Sequence, residues 1–309
     1  MPTSPSAKVS RRIAVVLCVL AKVVSARGDV VHLPCIADTT LYQGFEHSNG
    51  AGSYLFAGNT NRFGARRVLL RFDPAASIPT GSTITSARLT LTMDQTINGE
   101  FSFSIHRVLG AWNEGAVNSG VPGGVGDQAQ NGDVTWDARS FNFNPSLLIP
   151  WNTPGGDFVA APSAMIQIGG QGQYTWGSTS QMTADVQAWF QTPSTNSGWI
   201  IVGQNVLGAT AKRFVSRNNA NAGARPVLEV VYTPPGPVCN DIDFNNDGSF
   251  FDPQDIDAFL SVYGEGPCIP ASATCDSIDF NNDTSVFDPC DIDSFLTVFG
   301  EGPCTVCGQ

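Results

Sequence analysis

Histidine is nearly absent from this 309-residue chain: only His32, His47 and His106 occur. His106 shares an alternating face with serines, and no partner for it is visible by motif. The usual catalytic signatures are missing too. There is no G-x-S-x-G, no H-E-x-x-H and no glycine-rich phosphate loop. Carboxylate pairs for glycoside cleavage have no fixed sequence spacing, so Glu114 with Asp133 or Asp137 is the first such pair to test. Positive charge is scarce: the net charge is −11, and no basic stripe offers a nucleic-acid surface. Long apolar runs are missing. Nothing in the mature chain approaches the roughly 20 residues of a membrane-spanning helix. No catalytic residue is assigned, and the balance leans away from an enzyme.

The shortage of positive charge is extreme at the C-terminal end. Residues 239–309 hold 14 Asp and Glu and no Lys, Arg or His. The rest of the chain is close to neutral, so the acidity belongs to this tail. The tail is also a duplication. Residues 239–268 (CNDIDFNNDGSFFDPQDIDAFLSVYGEGPC) and 275–304 (CDSIDFNNDTSVFDPCDIDSFLTVFGEGPC) align without gaps and differ at 8 of 30 positions. A fixed period of this kind marks one supersecondary unit copied.

Each copy carries a D-x-N-x-D run, a D-P and a D-I-D. Calcium loops take side-chain oxygens from positions 1, 3 and 5, and a backbone carbonyl from position 7. Those positions are Asp243, Asn245, Asp247 and Ser249 in one copy, and Asp279, Asn281, Asp283 and Ser285 in the other. Gly248 falls where the chain must turn sharply, whereas the second copy has Thr284, which predicts a weaker second site. The closing acid comes one residue late, at Asp255 and Asp291. It tracks the helix start, because Asp252-Pro253 and Asp288-Pro289 read as a capping Asp followed by Pro at the first helical position. Ile256, Phe259, Leu260 and Tyr263, repeated as Ile292, Phe295, Leu296 and Phe299, form one apolar face and are expected in the core. Gly264 and Gly300 are expected to end the helices. A segment so acidic repels itself, so calcium binding should couple to its folding.

The N-terminal 26 residues read as a secretory signal. Lys8, Arg11 and Arg12 precede the apolar run 13–21, and Val24-Ser25-Ala26 fits a cleavage site. Export permits disulfides. Of the mature cysteines, Cys239, Cys268, Cys275, Cys290, Cys304 and Cys307 are expected to be bridged. Repeat symmetry favours Cys239–Cys268 and Cys275–Cys304, with Cys290–Cys307 as a third pair, though six cysteines allow 15 connectivities. Cys35 is left over as a buried free thiol.

Residues 27–233 read as one β domain, followed by a stiff Pro-rich linker at 234–238 and the repeats at 239–309. Leu89, Leu91 and Met93 alternate with polar residues, as do Phe101, Phe103 and Ile105. Residues 199–203 and 226–232 read as buried strands. The expected fold class is all-β: a jelly-roll-like β-sandwich, with a small α-containing calcium module at the end. Met182, Val186, Trp189 and Phe190 have helical spacing, so a short helix should plug one end.

Two resemblances follow from these residues. The ordered pieces 67–73 (RVLLRFD), 86–91 (SARLTL), Trp112-Asn113-Glu114, Thr135-Trp136, 184–189 (ADVQAW), Gly198-Trp199 and 214–217 (FVSR) resemble the DNRLRE-type family. That family is also called carbohydrate-binding module family 96 and is related to disaggregatase repeats. The resemblance implies a β-sandwich of secreted polysaccharide-active proteins, some of which bind acidic polysaccharides. Where members commonly carry an acid after the late S-R, this chain has Asn218. The tail resembles dockerin-like, EF-hand-type repeats, although its helix starts hold Asp-Pro where dockerins grip a cohesin partner.

The combined expectation is a secreted or cell-surface, non-catalytic polysaccharide-binding protein, with a calcium-stabilised docking or structural tail. The alternatives are a disaggregatase-like enzyme and a cell-surface structural protein. Candidate sugar-stacking residues are Trp112, Trp136, Trp151 and Trp176. Of these, Trp151 in the Gly-rich loop 151–157 is the first choice. Candidate anion-pairing residues are Arg62, Arg66, Lys212, Arg213 and Arg217. Trp189 and Trp199 are expected in the core, and Arg67 and Arg71 to pair locally. Expected partners are an extracellular polysaccharide, including uronic-acid types, and an envelope or cohesin-like protein for the tail.

Overall fold

The computed structural model describes residues 28–60, 64–120, 124–204, 206 and 208–304. Up to Thr233 the chain is mainly β. Its first strands are β1 (Asp29–Pro34), β2 (Ala37–Tyr42), β3 (His47–Ser48), β4 (Tyr54–Thr60), β5 (Gly64–Arg71), β6 (Thr83–Thr96), β7 (Phe101–Arg107) and β8 (Asp127–Gln128). There follow β9 (Ala138–Ser140), β10 (Ile149–Pro150), β11 (Ala164–Ile168), β12 (Gly172–Gly177), β13 (Trp199–Gly203), β14 (Lys212–Val215) and β15 (Val227–Thr233). Eleven of them form one large sheet in the order β1-β15-β6-β14-β4-β5-β13-β7-β11, with β12 beside β6 and β2 beside β5. Every pairing in it is antiparallel.

The sheet curls because β4 changes partner along its length. Tyr54–Ala57 pair with β14, whereas Gly58–Thr60 pair with β5. Gly58 stands at the switch with φ of 102°, and a Cβ there would meet the Thr210 carbonyl oxygen at 2.8 Å. Only glycine accommodates both demands.

Curling brings the inner faces of the two halves onto one core. The alternation in the sequence supplies it: Leu89, Leu91 and Met93 of β6 pack with Phe103 and Ile105 of β7, Val68 and Leu70 of β5, Trp199 and Ile201 of β13, and Leu228 and Val230 of β15. Helix α1 (Ser180–Gln191) closes the core. Thr179 caps it by accepting from Met182 N at 3.1 Å, and Met182, Val186 and Trp189 are buried. The Trp189 and Trp199 rings meet edge to face at 4.6 Å. Buried Asp185 accepts from Trp199 Nε1 at 2.9 Å and Ser163 Oγ at 2.5 Å, which ties the helix to the sheet.

The outer face of β2, β5 and β13 is also covered. Leu41, Leu69 and Ile200 pack beneath Val108, Trp112, Val134, Trp136 and Trp151, all from the long connection between β7 and β11. An apolar run such as WIIVG at 199–203 is stable only when both faces are shielded, and these tryptophans are the outer shield.

The C-terminal repeats form two loop–helix units, with helices α2 (Pro253–Tyr263) and α3 (Pro289–Phe299). Both start as the sequence indicates. Asp252 and Asp288 each accept from the backbone at their third helical residue, and Asp255 and Asp291 return the bond to the cap, giving a complete capping box. The two units are related by an approximate two-fold axis. Asn240 N donates to Phe280 O at 2.8 Å, and its counterpart Asp276 N donates to Phe244 O at 3.0 Å. Phe244, Phe259, Phe280 and Phe295 are fully buried between the units, with Phe259 and Phe295 stacked at 4.2 Å.

This two-fold packing corrects the expected disulfides. The bridges are Cys239–Cys304 and Cys268–Cys275. Each repeat's first cysteine joins the other repeat's last, because antiparallel packing puts the start of one unit beside the end of its mate. Symmetry is kept, but between units and not within them. Cys290 is disulfide-bonded; Cys307 and the signal segment lie outside the described residues. Cys35 is free and buried, as expected. One further expectation needs correction. Leu260 and Leu296 are each half exposed, so only part of each apolar helix face reaches the core. Gly264 and Gly300 end the helices as expected; they keep negative φ, and the left-handed residues are the next ones, Glu265 and Glu301. No helix among the described residues is long and apolar enough to cross a membrane.

Candidate functional site

Each acidic loop folds around its first aspartate. In the first loop Asp243 accepts from Asp247 N at 3.0 Å and Gly248 N at 2.8 Å, and Asn245 Oδ1 also accepts from Asp247 N at 3.0 Å. In the second, Asp279 accepts from Asp283 N and Thr284 N, each at 3.0 Å. Asp247 and Asp283 each fold back to accept from Ser249 N and Ser285 N at 2.8 Å. Asn281 Nδ2 donates to Asp283 Oδ2 at 3.0 Å. Asp255 and Asp291 reach in from the helix starts and are completely buried. They accept long bonds from Asn245 N at 3.5 Å and a shorter one from Phe280 N at 2.9 Å.

The electrostatics of these loops is unbalanced. Burial raises the pKa of Asp255, and the negative charges of Asp252 and Asp243 raise it further. Burial, Asp288 and Asp279 do the same to Asp291. Asn245 is buried, and its Nδ2 has no hydrogen-bond partner among the described residues. Ionised carboxylates crowded in this way favour a cation between them. The donor set is oxygen only, the set that suits a hard divalent ion. Among the described residues, no three His, Cys, Asp or Glu side chains are grouped so as to hold a metal by themselves. A cation would therefore draw on neutral oxygens as well, from Asn245 or Asn281 and from the Ser249 or Ser285 backbone.

The stacking role expected of the tryptophans does not survive their placement. Trp112, Trp136, Trp151 and Trp176 are all buried. Trp112 Nε1 donates to Ser197 O at 2.8 Å, Trp151 Nε1 to Thr135 O at 3.0 Å, and Trp176 Nε1 to Phe103 O at 3.0 Å. Indoles whose faces are packed and whose N–H groups are satisfied serve the core. The Gly-rich loop 151–157 made Trp151 look exposed, but that residue pins the outer layer.

The basic candidates are mostly engaged as well. Lys212 is buried, and its ammonium donates to Thr96 Oγ1 and to the carbonyls of Asn98, Gly99 and Gly169. Arg213 forms a two-point ion pair with Asp94, each bond 2.9 Å. Arg217 forms another with Glu114, whose Oε1 also accepts from Asp38 N at 2.8 Å. Glu114 is thus held in structure, and Asp133 accepts from Gln130 N at 3.0 Å. Neither is placed as a free acid–base pair. Asn218 donates to Gly50 O at 2.8 Å. Arg62 lies outside the described residues. Arg66 is buried against the rings of Tyr42 and Phe45.

Arg67, which the sequence placed only in a local pairing role, lines two cavities, sharing one with Arg66 and the other with Arg139. Two clefts meet at it. One, of about 560 Å³, is lined by Gln43, Asn59, Thr60, Arg66 and Arg67. The other, of about 690 Å³, is lined by Arg67, Arg139, Asn152 and Asp157. Arg67 stacks over Trp136 at 4.8 Å and Phe158 at 5.3 Å, and its Nη1 donates to Gly155 O at 2.7 Å. Gly155 has φ of 92°, and a Cβ there would lie 2.5 Å from that guanidinium. Arg67 makes no ion pair among the described residues. The cover on Arg67 came from residues far apart in sequence, so only the fold could show that it sits between cavities. No family model matches the chain, and no curated protein matches it.

Proposed function

We propose that this is a secreted, two-part binding protein, in which calcium holds an EF-hand-like, dockerin-like tail in shape. The observation that carries this reading is the pair of buried closing carboxylates, Asp255 and Asp291, each crowded by a second aspartate of its own loop. Asp243, Asn245, Asp247, Ser249 and Asp255 would hold one ion, and Asp279, Asn281, Asp283, Ser285 and Asp291 the other. The bound ion supplies positive charge that cancels the repulsion and couples binding to folding. Export fits the disulfides of the tail. A partner surface on the tail is supported by apolar residues exposed at matching places in both repeats: Phe251 and Phe287, and Leu260 and Leu296. An envelope or cohesin-like protein is the class of partner implied. Differential scanning calorimetry with and without chelator tests the calcium reading: the tail's transition should move down when the ion is removed, and an unmoved transition contradicts it.

For the β-rich part, read as a jelly-roll-like sandwich, the supported ligand is an extracellular polysaccharide bearing carboxylates. The specific observation is Arg67, which pairs with no carboxylate among the described residues and sits at the junction of two polar clefts. A guanidinium held by ring stacking is pre-oriented for two-point carboxylate contact. Affinity electrophoresis of the full chain through polyuronate gels tests this. Retardation lost in Arg67→Ala supports it, and identical mobility with and without the polymer overturns it.

A further inference from the structure

We infer that Ser104 and His106 form an acyl-transfer dyad that hydrolyses small carboxylic esters, at a site that borders the Arg67 clefts and uses none of the acidic-loop residues. Both residues lie on the outer face of β7, two positions apart, so the pleat puts their side chains on the same side. Ser104 Oγ and His106 Nε2 are 2.8 Å apart. The other ring nitrogen, Nδ1, lies 2.9 Å from Val159 O. A carbonyl oxygen can only accept, so Nδ1 carries the hydrogen. In the neutral ring, Nε2 is then a bare lone pair, and the Ser104 hydroxyl donates to it. The remaining contact of Ser104, to Val202 O at 3.4 Å, is long. Burial lowers the His106 pKa against the opposing pull of the Val159 and Ala161 carbonyls, and the charge of Arg67 adds a smaller lowering. The imidazole is therefore neutral and able to accept a proton at pH 7. A carbonyl takes the orienting place that a carboxylate fills in other nucleophile–base–orienter sets.

The strand register gives the nucleophile a cavity. Across β7, Ser104 stands opposite Val202 on β13 and Met165 on β11. These three, with Ser102, Gly203 and Gln204, line a cavity of about 350 Å³, which suits a short acyl group. Val202 and Met165 give it an apolar wall. Gln204 lines the same cavity, its Oε1 accepting from Ser102 N at 3.3 Å, and its amide N–H is a group in the lining able to donate to an oxyanion. His106 is backed by the Phe158 ring at 5.0 Å, which shields one side of the pair from water.

The chemistry balances without any co-reactant but water. Ser104 Oγ attacks the ester carbonyl carbon while its proton passes to His106 Nε2. The tetrahedral oxyanion collapses, the C–O bond to the alcohol breaks, and Nε2–H protonates the leaving alkoxide. Water then attacks the acyl-serine and gives a proton to Nε2. The second collapse releases the carboxylic acid and returns the proton to Ser104. No step uses Glu114 or the loop aspartates.

The test is covalent labelling of the full chain with an alkyl fluorophosphonate, read by intact mass and peptide mapping, alongside hydrolysis of 4-nitrophenyl acetate. The dyad predicts one adduct on Ser104, no adduct in Ser104→Ala, and labelling at least 10²-fold slower in His106→Gln. Ester hydrolysis should fall in parallel in both variants, with near-ultraviolet circular dichroism unchanged. Absence of an adduct on Ser104 in the folded protein overturns the proposal. So does a labelling rate that His106→Gln leaves unaltered, which would make the pair a structural brace only.

Discussion

Asp38 offers a quantitative test of how this fold treats buried charge. It lies on β2 and is only 1 % exposed. One carboxyl oxygen accepts from Arg217 N at 2.7 Å, and the other has no hydrogen-bond partner among the described residues. Burial pushes its pKa up to about 8; the Glu114 charge adds to this, while the backbone bond and the charge of Arg217 oppose it. The unfolded value is about 3.9. Between those limits the folded state holds a proton that the unfolded state has lost. Stability must therefore fall as pH rises, by up to about 1.4 kcal/mol per unit. Asp38→Asn keeps the shape of the protonated acid and cannot ionise. Relative to the parent it should gain about 4 kcal/mol between pH 5 and pH 8. Urea unfolding followed by tryptophan fluorescence isolates the effect, because all six tryptophans lie before the repeats. A stability difference between the two proteins that stays constant from pH 5 to pH 8 would refute the reasoning.

Three further outcomes follow from single features. Thr284 sits at φ of 74°, which a β-branched residue adopts at a cost. Thr284→Gly should stabilise the tail by about 1 kcal/mol and tighten calcium at the second loop, as read by thermal melts and titration. Trp136→Ala removes a main contact of the outer layer and should cost about 3–5 kcal/mol by urea denaturation, with faster proteolysis of residues 108–160. Cys239→Ser with Cys304→Ser opens a bridge across 65 residues and should cost the tail about 4 kcal/mol by calorimetry, more than the same change at Cys268 and Cys275, which are 7 apart.

Local features of this protein could be read from its sequence. Asp252-Pro253 and Asp288-Pro289 cap their helices because capping depends on residues three apart. Leu89, Leu91 and Met93 point inward because the pleat has period two. The pairing of Cys239 with Cys304 could not be read, because it depends on how two equal units pack, and both pairings keep the repeat symmetry. The burial of Trp112, Trp136 and Trp151 was hidden for another reason. Their segment is irregular and rich in glycine, so no periodicity marks its inner face. A signal did exist: Ile200, on the outer side of the WIIVG strand, demanded a cover, and these indoles were the large apolar groups free to provide it. The Ser104–His106 pair was half visible, as an alternating face. Only the carbonyl of Val159 completes it, and that comes from the same irregular segment.

The most direct measurement of the central claim is isothermal titration of calcium into the metal-free full chain. Two ions should bind per chain, with one lost in Asp255→Asn and both lost when Asp291→Asn is added. Circular dichroism of the same samples should show the tail ordering as the ions bind. Heat indistinguishable from dilution in the parent chain, or two ions still bound by the double variant, would contradict the account.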